Sequence, residues 1–528
     1  MKTRLICGAI LLSLPVEAKL CPPPPLCVFH FFHCGENLTF RSFSIPPKDL
    51  IAPPPMLRRL SVSAIEPFKL HPDFKFKCGV EIHTQLKTKY KLFSLSPTGF
   101  NDNCNTKVSY FDLGLPGTQP KLNPEALHLA LKACVALNMK IQPFSKFDRK
   151  HYFYPDQPLG YQVTQHFHPL ANDGVLELNE FDNASGKIEI ETVQLEQDTG
   201  KKYGDIIDYN RAGTPLIEVV TKPDFKDINQ VYAFIKKYQL LVRHLNICSG
   251  DLETGAIRVD VNISVNDNPR VELKNLGTTG DIVSALKYEY TEQVKRLRAG
   301  ERIVQETKSW DGYVTKASRS KENAIDYRYV PDSELPGIHL SPEIGDEIRA
   351  SMPEYPDQLL SRLTSEPYNL QLAHAKNLLI EPENLRFYET FFDKLNHPDA
   401  NKWMFQELIT AFAKLDKEFD VNVISPDTLV AIARSEYSLV SKRLILRYIV
   451  ENHASLEMAI ANLNLASDSQ AINIDELCLE IVKSNLDVVK RIHDGHKNAI
   501  QVLVGKAIKV TRGKVHAKVI KDTFDKLL

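Results

Sequence analysis

The sequence predicts an α+β protein in which a mixed strand-and-helix region precedes a run of helices. Three observations predict it. From 75 to about 340, short segments with a two-residue apolar period are interspersed with a few longer amphipathic stretches. Beyond Pro353 the strand period disappears and only the helical one remains. Ahead of both, eleven of the 32 prolines fall in the first 70 residues. That density forbids continuous helix or sheet pairing and sets 1–70 apart as a leader.

Composition narrows the function. The 528 residues are 43% hydrophobic and 25% charged, which excludes a wholly disordered chain, a collagen-like repeat and a disulfide scaffold. The formal net charge of -1 excludes a globally basic nucleic-acid coat. The charge is uneven, however: residues 1–70 carry a net +4 and 497–528 a net +6, which leaves -11 for the body. An acidic body has carboxylates available for a metal, and a basic tip can meet an anion. Of nine cysteines, four (Cys7, Cys21, Cys27, Cys34) lie in the leader, and none forms a CxxC pair. A zinc ribbon has no support, and the body suits a reducing compartment.

The leader carries two possible addresses. Lys2 and Arg4, followed by Leu5 to Leu12, look like the start of a secretory signal, with Pro15 too close for a membrane span. The stretch Met56-Leu57-Arg58-Arg59-Leu60-Ser61 is basic and remains free of acids until Glu66, as a mitochondrial transit peptide is. Scattered cysteines sit badly with export, so mitochondrial import is favoured, with Met56 a working start.

The body follows in order. In the run from Cys78 to Leu86, Val80 and Ile82 share one strand face while Glu81, His83 and Gln85 share the other. Asn123-Pro124-Glu125 is an N-cap with proline at the first helical position, opening a helix through Leu127, Leu131 and Cys134. Ile257, Val259, Val261, Ile263 and Val265 alternate with Arg258, Asp260, Asn262 and Ser264; Val271 and Leu273 alternate with Glu272 and Lys274. A helix is expected from Asp281 to a stop at Gly300. Amphipathic helices through Leu359, Leu360 and Leu363, and through Phe405, Leu408 and Phe412, lead to the basic tip.

Chemistry concentrates on polar strand faces. Glu81, Glu196, Asp198, Glu218, Asp260 and Glu272, with His83, form an oxygen-rich set with one imidazole, which suits Mg²⁺ or Mn²⁺. The same residues also read as solvated strand faces or as ion pairs with Lys150, Arg258 and Lys274. The run from Asp148 to Pro155 joins a charged triplet to Tyr152, Phe153 and Tyr154, with core burial the favoured reading and base stacking the other. The cationic tip, with Lys506, Lys509, Arg512 and Lys514, fits RNA phosphates or plain soluble surface equally. Neither GxxxxGK[ST] nor GxGxxG occurs.

Several motifs occur together in order: Gly79-Val80-Glu81-Ile82-His83, Leu115 to Pro120, Asp148 to Pro155, Asp208 to Val220, Arg258 to Asn262, Glu272 to Asn275, Gln305-Glu306-Thr307 and Asp326-Tyr327-Arg328-Tyr329. Over about 71–528 the chain closely resembles the GatB family, the B subunits of glutamyl-tRNA(Gln) amidotransferase, in its mitochondrial form. The resemblance implies a cradle-shaped, kinase-like mixed-sheet catalytic domain at 71–345, a helical linker domain at 346–425 and an all-helical tail domain at 426–528 that binds tRNA. It implies an ATP-dependent carbon-nitrogen ligase that phosphorylates the glutamate γ-carboxylate of Glu-tRNA(Gln) and amidates it. The ammonia would come from a partner amidase, with a small third protein clamping the pair in the mitochondrial matrix. ATP and Mg²⁺ are the implied cofactors. His83, Glu196 and Glu218 would be metal ligands; Glu81, Lys150, Asp260 and Glu272 catalytic; Lys150, Arg258 and Lys274 would meet the nucleotide; and Lys506, Lys509, Arg512 and Lys514 would bind tRNA. Gln194 and Gln197 replace a His and a Glu usual in bacterial relatives, which makes the site one charge less negative. The competing functions are a non-catalytic tRNA-binding scaffold and a ligase for a small molecule.

Overall fold

The computed structural model describes residues 68–320, 326–463, 465, 473–493, 497–511, 515 and 517–528. The secretory and transit readings, the Met56 start, Arg512 and Lys514 fall outside these residues. Within them, strands β1 (Phe76–Gln85), β2 (Lys140–Ile141), β3 (Phe144–His151), β4 (Tyr161–His168) and β5 (Ala171–Leu178) come first. They are followed by β6 (Gly186–Gln197), β7 (Lys201–Tyr203), β8 (Ile206–Asp208), β9 (Pro215–Thr221) and β10 (Ile257–Val265). The last are β11 (Val271–Lys274), β12 (Glu306–Trp310), β13 (Thr315–Ser320), β14 (Val330–Pro331) and β15 (Ile338–His339). Three helices accompany them: α1 (Pro124–Ala136), α2 (Ile228–His244) and α3 (Thr279–Arg298).

Among the described residues the main sheet has nine strands in the order β13-β12-β11-β10-β1-β9-β6-β5-β2. Its centre is antiparallel, β1 pairing β10 on one side and β9 on the other, while β11 and β12 run parallel. The alternation read from the sequence sorts its two faces. Val80, Ile82, Ile217, Val219, Val259, Val261 and Ile263 are buried and join one core with α1, α2 and α3. The opposite face carries the polar residues.

Local chemistry sets the helix ends. The Asn123 side chain accepts the Glu125 N–H at 2.9 Å, and the Thr278 hydroxyl accepts the Asp281 N–H at 3.0 Å. The third helix therefore begins at Thr279, two residues before the expected Asp281, because Thr278 supplies its cap.

A smaller sheet covers part of the polar face. In it β3 pairs β4, β14 and β15. Its β4 lies along the end of β6: Gln162 donates to the Gln197 carbonyl at 2.8 Å, and the Leu195 N–H donates to Gln165 at 2.9 Å. The aromatics after β3 do not enter the core, contrary to the favoured reading. Phe153 is 87% exposed and Tyr154 53%, because the chain leaves β3 for a turn at Pro155 instead of continuing as a strand.

Past Met352 the described residues are helical. A second core spans 359–465 and includes Leu359, Leu360, Leu363, Phe391, Phe412 and Ile449. It crosses residue 426, the position at which the sequence reading divides linker from tail. A third core, within 474–528, is built from Cys478, Leu503, Ala507, Ile520 and Phe524. The first and second cores are latched together. Lys237 bonds Asp182 at 2.9 Å and Asp357 at 2.6 Å, and the His244 ring meets the Glu354 carbonyl at 2.8 Å. Phe68 and Leu70 pack on the first core, so that core includes residues ahead of 71. No helix among the described residues is long and apolar enough to cross a membrane.

One buried ion pair pins the loops at the sheet's end. Lys91, fully buried, donates to Asp112 at 3.1 Å and to the Tyr209 carbonyl at 3.1 Å, while Asp112 also accepts from Ser94 and the Ser109 N–H. Removing only one partner strands a buried charge. Asp112→Ala should lower stability by about 3–5 kcal/mol, read as a lower urea midpoint, whereas Lys91→Met combined with Asp112→Leu should recover most of the loss.

Candidate active site

Strand register brings the polar residues into one row. His83 on β1 lies opposite Arg258 on β10 and Glu218 on β9; Glu81 lies opposite Asp260; Glu218 lies opposite Gln194 on β6. Successive same-face residues are about 7 Å apart along a strand, so the row divides into two neighbouring groups.

The first group is His83, Glu196 and Glu218, whose donor atoms all lie within 4.8 Å of one another. His83 Nε2 is 3.4 Å from Glu196 and 3.6 Å from Glu218. These contacts look like ion pairs, but the imidazole is neutral. Burial, with Arg258, Lys150 and Lys274 nearby, lowers its pKa to about 3. Burial also raises the pKa of Glu196, and burial together with Glu196 and Glu81 raises Glu218 to about 8. A neutral imidazole between two crowded carboxylates is an oxygen-rich donor set for a hard divalent cation, whose charge would relieve the repulsion. On this observation the three residues fit a metal ion.

The second group is Glu81, Asp260 and Glu272, also within 4.8 Å of one another. It is satisfied by protein groups. Lys274 bonds Asp260 at 2.5 Å and Glu272 at 2.9 Å, Asn262 donates to Glu81 at 2.9 Å, and Thr307 donates to Glu272 at 2.8 Å. Burial, with Glu272 close by, still raises the Glu81 pKa, and burial likewise raises Asp260. For this group the ion-pair reading of the sequence describes the contacts; for the first group it does not.

Cations ring the row. Lys150 reaches it from β3 in the smaller sheet. Burial opposes its charge, but Glu196, Tyr329 and Glu218 outweigh that and hold its pKa above the ordinary lysine value. Arg258 is fixed by Asp198, at 3.0 Å. Asp198 is buried and also accepts from Gln85 at 3.0 Å and the Thr199 N–H at 2.9 Å, with Arg211 at 3.7 Å. Burial alone would raise the Asp198 pKa, but Arg258 and Arg211 hold it below the usual carboxylate range. Asp198 is thus an anchor for Arg258. An open cleft of about 500 Å³ borders the row, lined among others by His83, Glu196, Arg258, Asp260, Lys274 and Gly277.

The fold therefore brings His83, Glu196, Glu218, Glu81, Asp260, Glu272, Lys150, Arg258 and Lys274 into one region. Lys506 and Lys509 are not part of it: both are exposed on the helix Ile500–Val510 of the third core. Gln194, whose side chain accepts from Thr164 at 3.2 Å, puts a neutral amide beside Glu218. Sequence reasoning placed Gln85 on the polar face without a role and missed the supports Arg211, Thr164 and Thr307. Each lies far along the chain from what it touches, so spacing gave no signal.

A polar cleft on a mixed sheet, joined to helical cores, defines a class: the chain matches the GatB/GatE catalytic domain over residues 76–346 and the GatB domain over 386–528. It is 62% identical over 472 residues to the mitochondrial B subunit of glutamyl-tRNA(Gln) amidotransferase from Lodderomyces elongisporus, covering 87% of this chain and 92% of that one. The proteins of the same name in Candida tropicalis and Candida albicans are 59% and 58% identical, each over 88% of this chain and 99% and 98% of theirs. The chain belongs to the GatB family, the B subunits of tRNA-dependent amidotransferases.

A crowded carboxylate pair has a cost that a cation offsets. In metal-free protein above about pH 8, where Glu218 ionises beside Glu196, Glu218→Gln should raise the melting temperature by a few degrees, because it removes one of two crowded like charges. Mg²⁺ or Mn²⁺ should raise the melting temperature of the unmodified chain and leave that of the variant nearly unchanged; differential scanning fluorimetry checks both.

Proposed function

We propose that this chain phosphorylates the γ-carboxylate of glutamate on Glu-tRNA(Gln) with ATP and amidates it to Gln-tRNA(Gln) in the mitochondrial matrix. Its partners would be an amidase that releases ammonia from glutamine and a small third protein of the assembly. The observation that carries this reading is the meeting of His83, Glu196 and Glu218 beneath Lys150. The covered polar face would be the cradle, kinase-like in its chemistry.

A carboxylate acylates poorly because its leaving group would be oxide. Attack of its oxygen on the γ-phosphorus of ATP releases ADP and makes an acyl phosphate; ammonia then attacks the acyl carbon and phosphate leaves. His83, Glu196 and Glu218 would hold Mg²⁺, which neutralises charge on the transferring phosphoryl group when bound. Lys150 would meet the γ-phosphate or the substrate carboxylate, and Arg258 and Lys274 the remaining phosphates. Arg258 is held ready by Asp198, so little reorganisation is needed. Glu81 and Asp260, with raised pKa values, are suited to take the proton lost by the attacking ammonia. Lys506, Lys509, Arg512 and Lys514 would meet tRNA phosphates.

Support comes from the family, from relatives named for this activity in mitochondria and from the donor set. The test is the chain purified with its amidase partner and supplied with ATP, glutamine and Glu-tRNA(Gln). Gln-tRNA(Gln) should form only with the complete set, and Glu196→Gln should cut tRNA-dependent ATP turnover by at least about 100-fold. ATP turnover that ignores tRNA would point to a ligase for a small molecule, and none at all to a scaffold. For the tail, replacing Lys506, Lys509 and Lys514 together by Ala should weaken tRNA binding and reduce its salt slope by about 2–3 in filter-binding titrations. The tRNA-independent glutaminase of the assembly should be spared.

A further inference from the structure

Residues 326–335 form a strap across the smaller sheet. Val330 and Pro331 pair with Arg149 and Asp148 on β3, the strand that carries Lys150. The strap is tied on both sides of that pairing. The His151 N–H donates to the Tyr327 carbonyl at 2.8 Å, and the His151 ring bonds the Arg328 carbonyl at 3.0 Å. Asp332, 1% exposed, takes the Arg149 guanidinium at 2.6 Å, donates its N–H to the Phe147 carbonyl at 2.9 Å and accepts the Glu334 and Leu335 N–H groups. Arg328 sits at φ +44°, a left-handed conformation costly for a side chain of its size, so the strap's shape is imposed by its ties.

Alternation along the strap points Tyr327 and Tyr329 inward and leaves Asp326, Arg328 and Val330 exposed. The Tyr327 ring lies 4.6 Å from the Lys150 ammonium. Tyr152 and Tyr329 flank that ring at 6.2 Å each, and Tyr329 is stacked on His166 at 3.8 Å. The ring is thus braced. Lys150 sits among the charges of Glu196 and Glu218, yet among the described residues it makes no direct ion pair with either. A lysine stem is long and flexible, and two nearby carboxylates would draw its ammonium onto themselves unless something held it back. A fixed aromatic face does so.

We propose that Tyr327 is a positioning residue that holds the Lys150 ammonium off the Glu196–Glu218 pair, keeping those carboxylates free for a divalent cation. The inference rests on the cation reading above and adds the strap to it. Without the ring, Lys150 pairs with Glu196 and competes with the cation; with phenylalanine the ring face remains and nothing changes.

The test is Mn²⁺ binding to the full chain by calorimetry, together with tRNA-dependent ATP turnover by the assembled complex. Tyr327→Leu should weaken Mn²⁺ binding about 3- to 30-fold, Tyr327→Phe should match the unmodified chain, and Tyr327→Leu should cost nothing further in a Lys150→Met background. ATP turnover by Tyr327→Leu should lose kcat with little change in KM for tRNA. Should Tyr327→Leu not fold, Tyr327→Met, equally ringless, carries the comparison. Equal Mn²⁺ affinity in the ringless variant, an equal loss in Tyr327→Phe, or a loss that persists with Lys150→Met would overturn the proposal while leaving the cation reading intact. No Mn²⁺ binding by the unmodified chain would remove both.

Discussion

Two carboxylates, the buried Glu196 and the half-buried Glu218, face each other across one imidazole on the central strands of a sheet. The rest of the architecture answers to that constraint. Like charges this close in a poorly solvated place repel, and only protons or cations settle them. The neutral state of His83 matters here, because a protonated imidazole would satisfy the pair by itself. Instead a proton settles the pair at neutral pH, held on Glu218 with its pKa raised to about 8, which is the electrostatic profile of a site where a cation can take the proton's place.

The neighbouring group shows the contrast. Glu81, Asp260 and Glu272 occupy the same face of the same sheet but hold Lys274 in their midst, along with Asn262 and Thr307. Neighbouring carboxylate clusters, with Glu81 and His83 two positions apart on β1, are therefore settled by protein groups in one place and left open in the other. The Asp198–Arg258 bond follows the same logic: a fully buried carboxylate is spent on orienting a guanidinium toward the cleft. The smaller sheet supplies the roof and, through Lys150, a cation from outside the main sheet.

Much of this was legible from the residues. Alternation along β1, β10 and β11 sorted apolar from polar faces, and the Asn123 cap located a helix start, because both depend on neighbours a few residues away. The ordered motifs named the family. Phe153 and Tyr154 read as core but lie exposed, since a pattern of rings is the same whether a strand continues or turns away at Pro155. Helix composition is uniform around 426, so the residues there carry no mark of the core that runs from 359 to 465.

The sequence by itself determined which side chains share a strand face, where caps begin helices, and which family the chain resembles. All of these are set within a few bonds or by ordered identity. Only the tertiary structure decided that β9 and β10 flank β1, that β3 folds over their polar face, and that Lys274 serves one acidic group while the other stays open. Those outcomes join residues far apart along the chain, such as Asn262 and Glu81, 181 positions apart. No local rule carries that information, because strand order is chosen by the burial of whole faces.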